Sequence, residues 1–381
     1  MLLKNATVYG ADFEPCRAEV ALEGERIRRV APALTEEGES LDLAGCTLVP
    51  GFIDIHIHGC GGADTGDATP EALGTISSTL VRHGVTSFCP TSMTLPFEEL
   101  QKIFANVQAE KNRLPGAYAH GVNMEGPYIA LSKKGAQNGA YVRNPDPAEF
   151  RRLYEGCGGC IKLVDIAPET PGAEAFVKEV EPLCTVSIAH TAAGYDDAMA
   201  AIGWGIRHAT HLFNAMTGLT HREPGVVGAI FDTARRLGVR GELICDGFHI
   251  HPAALRIAFE MLGEDNAVVV SDSMRAASFR DGEYDLGGQP VYVRDGKALL
   301  SDGTIAASTS NLHEELCNLL RFGVPFRTAL KAVTINPARA IRADGDTGSI
   351  EEGKLADLVA LGENMEVRLV VVKGRVMVNN L

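Results

Sequence analysis

The stretch GFIDIHIHGCGG, residues 51–62, sets His56 and His58 two positions apart at the end of an apolar run. Side chains alternate faces along a strand, so the two imidazoles share one face while Ile55 and Ile57 take the other. Such a pair is either polar cover on a solvated face or two ligands of one metal ion. The same residue types finish other apolar runs: Glu125 in NMEGP, His190 in TVSIAH, His211 in IRHATH and Asp272 in AVVVSD. Singly, a strand-end histidine is commonly a hydrogen-bonded structural group, Glu125 could cap a helix, and Asp272 could open a turn. Taken jointly, His56, His58, His190, His211, Glu125 and Asp272 are candidate ligands, and imidazole with carboxylate suits zinc, iron, manganese or cobalt.

Hydrolysis at such a centre needs an open metal position that acidifies a water, a base for the water's proton, and a donor that polarises the scissile carbonyl. Asp272 suits the base, which later returns the proton to the leaving group. His249, in CDGFHIHP, suits the polarising donor. His251 suits it less, because it precedes Pro252 and the next helix.

These residues must be held on one rim, and the apolar runs suggest how. Strands are expected at 52–58, 85–89, 119–124, 161–166, 185–190, 206–211, 242–246 and 267–272, with helical stretches such as PEALGTISSTLVRHG and HPAALRIAFEMLG between most of them. Eight strands with helical crossovers predict a (β/α)8 TIM barrel, whose catalytic groups gather at the carboxyl ends of the strands. Residues 1–50 and 344–381 read instead as short strands joined by turns, and are expected to pair into one small β-sandwich domain beside a barrel spanning 51–343. Residues 283–304 read as a hairpin inserted after the eighth strand.

Composition bounds the function classes. A formal net charge of -14, from 35 basic and 49 acidic residues, argues against a nucleic-acid or anionic-membrane surface. No apolar stretch has the length of a membrane span or the form of a secretion signal. Nine scattered cysteines fit reduced thiols in a cytoplasm. The one CxxC, Cys157 to Cys160, has no second pair to complete a zinc site and precedes a strand-like run, so it reads as loop thiols.

GFIDIHIHG, MEGPYIALSKKGA, the strand-end His190, HLFNAM, REPGVVGA, DGFH, SDSMRA and GSIEEGKLADLVAL together resemble the N-acetylglucosamine-6-phosphate deacetylases of the amidohydrolase superfamily. The resemblance runs along nearly the whole chain. HxH after a first strand and a terminal GKLADLV mark only the superfamily; MEGP, HLFNAM and REPG in that order are far more specific. The resemblance implies that Glu125, His190 and His211 bind the main catalytic metal and that His56 and His58 can form a second position, for one or two divalent ions per subunit, zinc first. It implies a phosphorylated amino sugar as substrate, with Arg222 of HREPG meeting the 6-phosphate across a homodimer interface. Asn214 and Ala215 would also line that pocket. Ala136 and the segment Ile305, Ala306, Ala307 would line the sugar pocket through backbone groups, His249 would contact the acetyl carbonyl, and Asp272 would be general base and acid.

Departures from that pattern are expected to bear on substrate contacts more than on the metal site. Members commonly carry histidine where Asn123 and Gln137 stand, and smaller residues where Arg275 and Ser278 stand. Other readings are an amidohydrolase acting on a different N-acyl amino sugar or N-acyl amino acid, or a dihydroorotase-like cyclic amidase. The last usually bridges its metals with a modified lysine, whereas Glu125 stands where the bridging group would fall. A silent barrel acting as regulator or scaffold would lack the base or several ligands, and all the expected types are present.

Overall fold

In a computed structural model describing residues 1–35 and 38–381, the apolar runs form a parallel sheet curled into a nearly closed barrel. Its strands are β1 (Phe52–Ile57), β2 (Val85–Ser92), β3 (Val122–Tyr128), β4 (Ile161–Ile166), β5 (Thr185–Ile188), β6 (His208–Ala209), β7 (Arg240–Leu243) and β8 (Ala267–Val269). Each pairs in parallel with the next. Rim hydrogen bonds bring the two ends of the sheet together: Asp272 N–H donates to the His56 carbonyl at 2.9 Å, and His58 N–H to the Ser273 carbonyl at 2.9 Å.

The crossover helices follow from local signals. In the helix Pro70–Arg82, Thr69 accepts a hydrogen bond from Ala72 N–H, proline opens the first turn, and Leu73, Ile76 and Leu80 bury one face. Several strand limits differ from those expected. β2 runs on to Ser92; the third run splits into Tyr118–Ala119, which pairs with β2, and β3. β6 shrinks to two residues because the chain turns out of the ladder at His211, whose φ is 29°.

The termini meet in one eight-stranded sheet, in which Leu358–Leu361 lies antiparallel to Thr47–Pro50 and so joins the C-terminal strands to the N-terminal ones. Leu3, Val8, Val20, Leu48, Leu358 and Leu369 form its own buried cluster. Buried Asp357 ties this sheet to the barrel: its carboxylate accepts from the Tyr118 hydroxyl at 2.8 Å and from Lys373 N–H at 2.8 Å. The insertion after β8 has three antiparallel strands rather than two, Gly282–Leu286, Gln289–Arg294 and Lys297–Leu299. The pair Asp295–Gly296, both at positive φ, makes the second turn that adds the third strand. Among the described residues no helix is long and apolar enough to cross a membrane.

Candidate metal centre and active site

Four histidines and two carboxylates converge at the carboxyl ends of the strands, and Glu125 is the group they share. Its Oε1 lies 3.0 Å from His190 Nε2 and 3.1 Å from His211 Nε2, and those two nitrogens are 3.2 Å apart. Its Oε2 lies 3.2 Å from His58 Nε2, and Asp272 Oδ1 lies 3.3 Å from His58 Nε2 and 3.5 Å from His56 Nε2. Two overlapping groups, Glu125–His190–His211 and His56–His58–Glu125, have ligand atoms close enough for one ion each.

The observed donors fit a divalent ion. His56 Nε2 is buried without a hydrogen-bond partner and faces Glu125 and Asp272, an arrangement that a cation completes. Three of the four far nitrogens are already held: His56 Nδ1 by Glu242 Oε2 at 3.0 Å, His190 Nδ1 by the Lys133 carbonyl at 2.8 Å, and His58 Nδ1 by the Thr91 carbonyl at 3.3 Å. Those contacts fix ring orientation and leave Nε2 directed at the carboxylates. His190, His211 and Asp272 have φ of 42°, 29° and 46°, conformations that cost about 1–3 kcal/mol each and gather at functional sites.

Electrostatics explain how such a cluster survives burial. Burial pushes both His56 and His58 down, but Asp272 and Glu125, and for His56 also Glu242, more than offset it, leaving His58 raised to about 10 and His56 well above the ordinary imidazole value. Burial likewise pushes Glu125 and Asp272 up, yet the facing histidines hold both carboxyls below their usual range. A ring whose folded value is raised keeps its proton through neutrality, so an ion entering at His56 and His58 must displace it. Metal titration is therefore expected to release protons, with apparent affinity at this position falling as pH falls. Calorimetry in buffers of different ionisation enthalpy checks this; identical heats in all buffers would contradict it.

The centre opens into a cavity of about 510 Å³ whose wall includes His58, Glu125, His190, His211, His249 and Asp272. Ala136, Asn214, Ala215, Ile305 and Ala307 line it too. Ala306 does not: it is fully buried behind the wall, its N–H bonded to the Ala298 carbonyl at 3.0 Å, because alternate residues of an extended segment face opposite ways. Arg222 is exposed and lies outside the wall of this chain's own cavity. His249 Nδ1 is 2.7 Å from Asp246 Oδ2, which leaves Nε2 as the free ring nitrogen. His251 instead caps the helix Pro252–Leu262, accepting from Ala253 N–H.

The departures divide. Arg275 pairs with Asp67 at 2.9 Å and Ser278 bonds His83 at 3.1 Å, neither in the cavity wall. Asn123 is buried in the barrel, donating to the Ile55 carbonyl at 3.1 Å. Gln137 corrects the expectation that these positions bear mainly on substrate: its Nε2 donates to Glu125 Oε2 at 2.7 Å while its Oε1 accepts from Thr94 N–H at 2.6 Å, so it braces the shared carboxylate. Glu242 and Asp246, which orient His56 and His249, were not among the candidates. Cys157 and Cys160 are buried free thiols away from this site.

Comparison with known proteins agrees with this geometry. The model of the Amidohydrolase family matches residues 47–377. An N-acetylglucosamine-6-phosphate deacetylase of Bacillus subtilis is 36% identical over 385 residues, covering 99% of this chain and 96% of that protein. An N-acetylgalactosamine-6-phosphate deacetylase of Escherichia coli O157:H7 is 33% identical, covering 86% of this chain and 87% of its own. The crystal structure of the N-acetylglucosamine-6-phosphate deacetylase from Pasteurella multocida superposes with a TM-score of 0.93 at 30% identity, over 99% of both chains. A barrel with this rim of ligands, matched along its whole length, places the chain in the amidohydrolase family, with the N-acetylglucosamine-6-phosphate deacetylases.

Proposed function

We propose that the chain hydrolyses the acetamide of N-acetyl-D-glucosamine 6-phosphate to D-glucosamine 6-phosphate and acetate, a step of amino-sugar catabolism. The observation that carries this reading is the single cavity on whose wall Glu125, His190, His211, His249 and Asp272 meet. Glu125, His190 and His211 would hold the principal divalent ion, and His56 and His58 with Asp272 a second; zinc leads iron, manganese and cobalt as the ion such donors take. When bound, the ion supplies Lewis acidity at the acetyl carbonyl and an acidified water.

The chain's own groups do the rest. Asp272 takes the proton of the attacking water and returns it to the departing amine. Asp246 holds His249 at Nδ1, which orients Nε2 towards the acetyl oxygen that it polarises. Ala136, Ile305 and Ala307 border the sugar, and Asn214 and Ala215 the phosphate end.

Arg222 serves the phosphate of a partner's site, giving a homodimer. Two observations support this: Arg222 stands exposed outside its own cavity wall, and a surface that includes Leu219 and Pro224, close to it in the chain, carries exposed Leu219, Ile257 and Met261 over buried Phe231, an apolar patch of the kind that a second copy would cover. The nine free cysteines fit a reducing cytoplasm.

The test is acetate release from N-acetylglucosamine 6-phosphate beside its unphosphorylated form and the galactosamine epimer, with metal content measured on the same sample. Strong preference for the phosphorylated glucosamine supports the reading, and preference for the epimer moves the chain towards the E. coli relative. Arg222→Ala is expected to raise KM for the phosphorylated sugar by about 10–100-fold, the loss of a charge-assisted bond. An unchanged KM removes Arg222 from the phosphate site.

A further inference from the structure

At the pole of the barrel opposite the catalytic rim, where β5, β6 and β7 begin, a cavity of about 260 Å³ is lined by Arg207, Arg240, Arg339 and Arg342. Four arginines in the wall of one small space are unexpected on a chain of net charge -14. Nearby carboxylates are fewer, and two of them are already engaged. Glu181, also in the wall, pairs with Arg342 at 2.6 Å, and Asp265 is shared between Arg339 at 3.0 Å and Lys331 at 2.6 Å. Arg207 spends Nη1 on the Ile202 and Ile206 carbonyls, at 2.6 and 2.7 Å.

Arg240 is the odd member. Among the described residues its side chain makes no hydrogen bond or ion pair, and its Nε is buried without a partner. Asp265 and Asp344 act on it only from a distance, and Arg339 opposes it. A half-buried cation facing other cations costs free energy unless an anion completes the group. A guanidinium fork matches the oxygen spacing of a tetrahedral oxyanion, and several forks around one space suit a doubly charged one.

We infer that this polar cavity is a second anion site, in which Arg240, with Arg207, binds a phosphate group independently of the catalytic rim. The phosphate comes either as the free inorganic ion or as the phosphoryl group of a sugar phosphate. The site rests on the arginine geometry alone and stands whether or not the proposed deacetylation does.

Equilibrium dialysis of metal-loaded, full-length protein against inorganic phosphate at fixed ionic strength tests it. One phosphate per chain is expected to bind in an Arg240-dependent way. Arg240→Gln should weaken it at least tenfold, Arg240→Lys should restore part of the loss, and Arg222→Ala should leave it in place. Should Arg240→Gln fail to fold, exposed Arg207→Gln, expected to weaken binding several-fold, decides instead. Acetate release should be unaltered in the Arg240 and Arg207 variants without added phosphate. Glucose 6-phosphate in a parallel arm identifies the source: tighter binding than the inorganic ion assigns the site to a sugar phosphate, and equal or weaker binding to phosphate itself. Phosphate binding that none of the Arg240 and Arg207 changes alters overturns the site and leaves the arginines as a structural brace.

Discussion

Asp272→Asn lowers kcat by about 10²–10⁴-fold, the range of a positioned acid–base group, while the protein keeps the ion held by Glu125, His190 and His211. The expectation follows from what the amide can and cannot replace. Asparagine preserves volume and an oxygen near His58 and His56, at the 3.3 and 3.5 Å that Asp272 Oδ1 now occupies. It cannot accept the proton of water and return it to an amine. The backbone at this position, φ 46°, is also one asparagine tolerates well, so the fold should hold. KM for the sugar phosphate should change far less than kcat, because the residue's work is confined to the transition state. Steady-state kinetics with metal analysis on the same sample decide it. A variant that retains turnover with its full metal complement would remove Asp272 from the base role.

The candidate rim was legible because barrel topology converts a one-dimensional cue, the residue type that ends an apolar run, into a shared location. His56, His58, Glu125, His190, His211 and Asp272 needed only period-two alternation and eight strand ends. Glu242 carried no such cue. It lies inside β7, where a lone acidic residue reads as a strand start, and its partner His56 is 186 positions away. Only curling the sheet puts β7 and β1 across one interior. Gln137 was noticed as an unusual residue, but its work on Glu125 depends on how the loop after β3 folds back, which local spacing does not specify. Ala306 lies behind the wall that its neighbours Ile305 and Ala307 line, because an extended segment shows alternate side chains to opposite sides. The third strand of the insertion was signalled by Asp295–Gly296, a turn pair between two alternating runs, and would have been found by applying the hairpin rule twice.

Glu125→Gln is expected to strip the principal metal position and with it nearly all activity. The reasoning is a matter of charge. Buried carboxylates Glu125, Asp272 and Glu242 face buried His56, His58, His190 and His211, and Glu125 alone touches both histidine pairs through its two oxygens. Glutamine keeps the shape and an acceptor but removes the negative charge that an ion between His190 and His211 requires. It also sets an amide group against the Gln137 amide now 2.7 Å from Oε2, so one of those contacts becomes donor against donor or the side chain must rotate. Metal affinity should fall by more than the ~10–100-fold that loss of an outer supporting partner costs, since this group is a ligand itself. Gln137→Ala supplies that smaller comparison: the carboxylate stays charged but loses its brace, so weaker metal binding with partial activity is expected. Competition with a chromophoric chelator measures both. Equal metal affinity in Glu125→Gln and the unaltered chain would mean that the ion is held elsewhere, and the two histidine pairs would then be a hydrogen-bonded core rather than a metal centre.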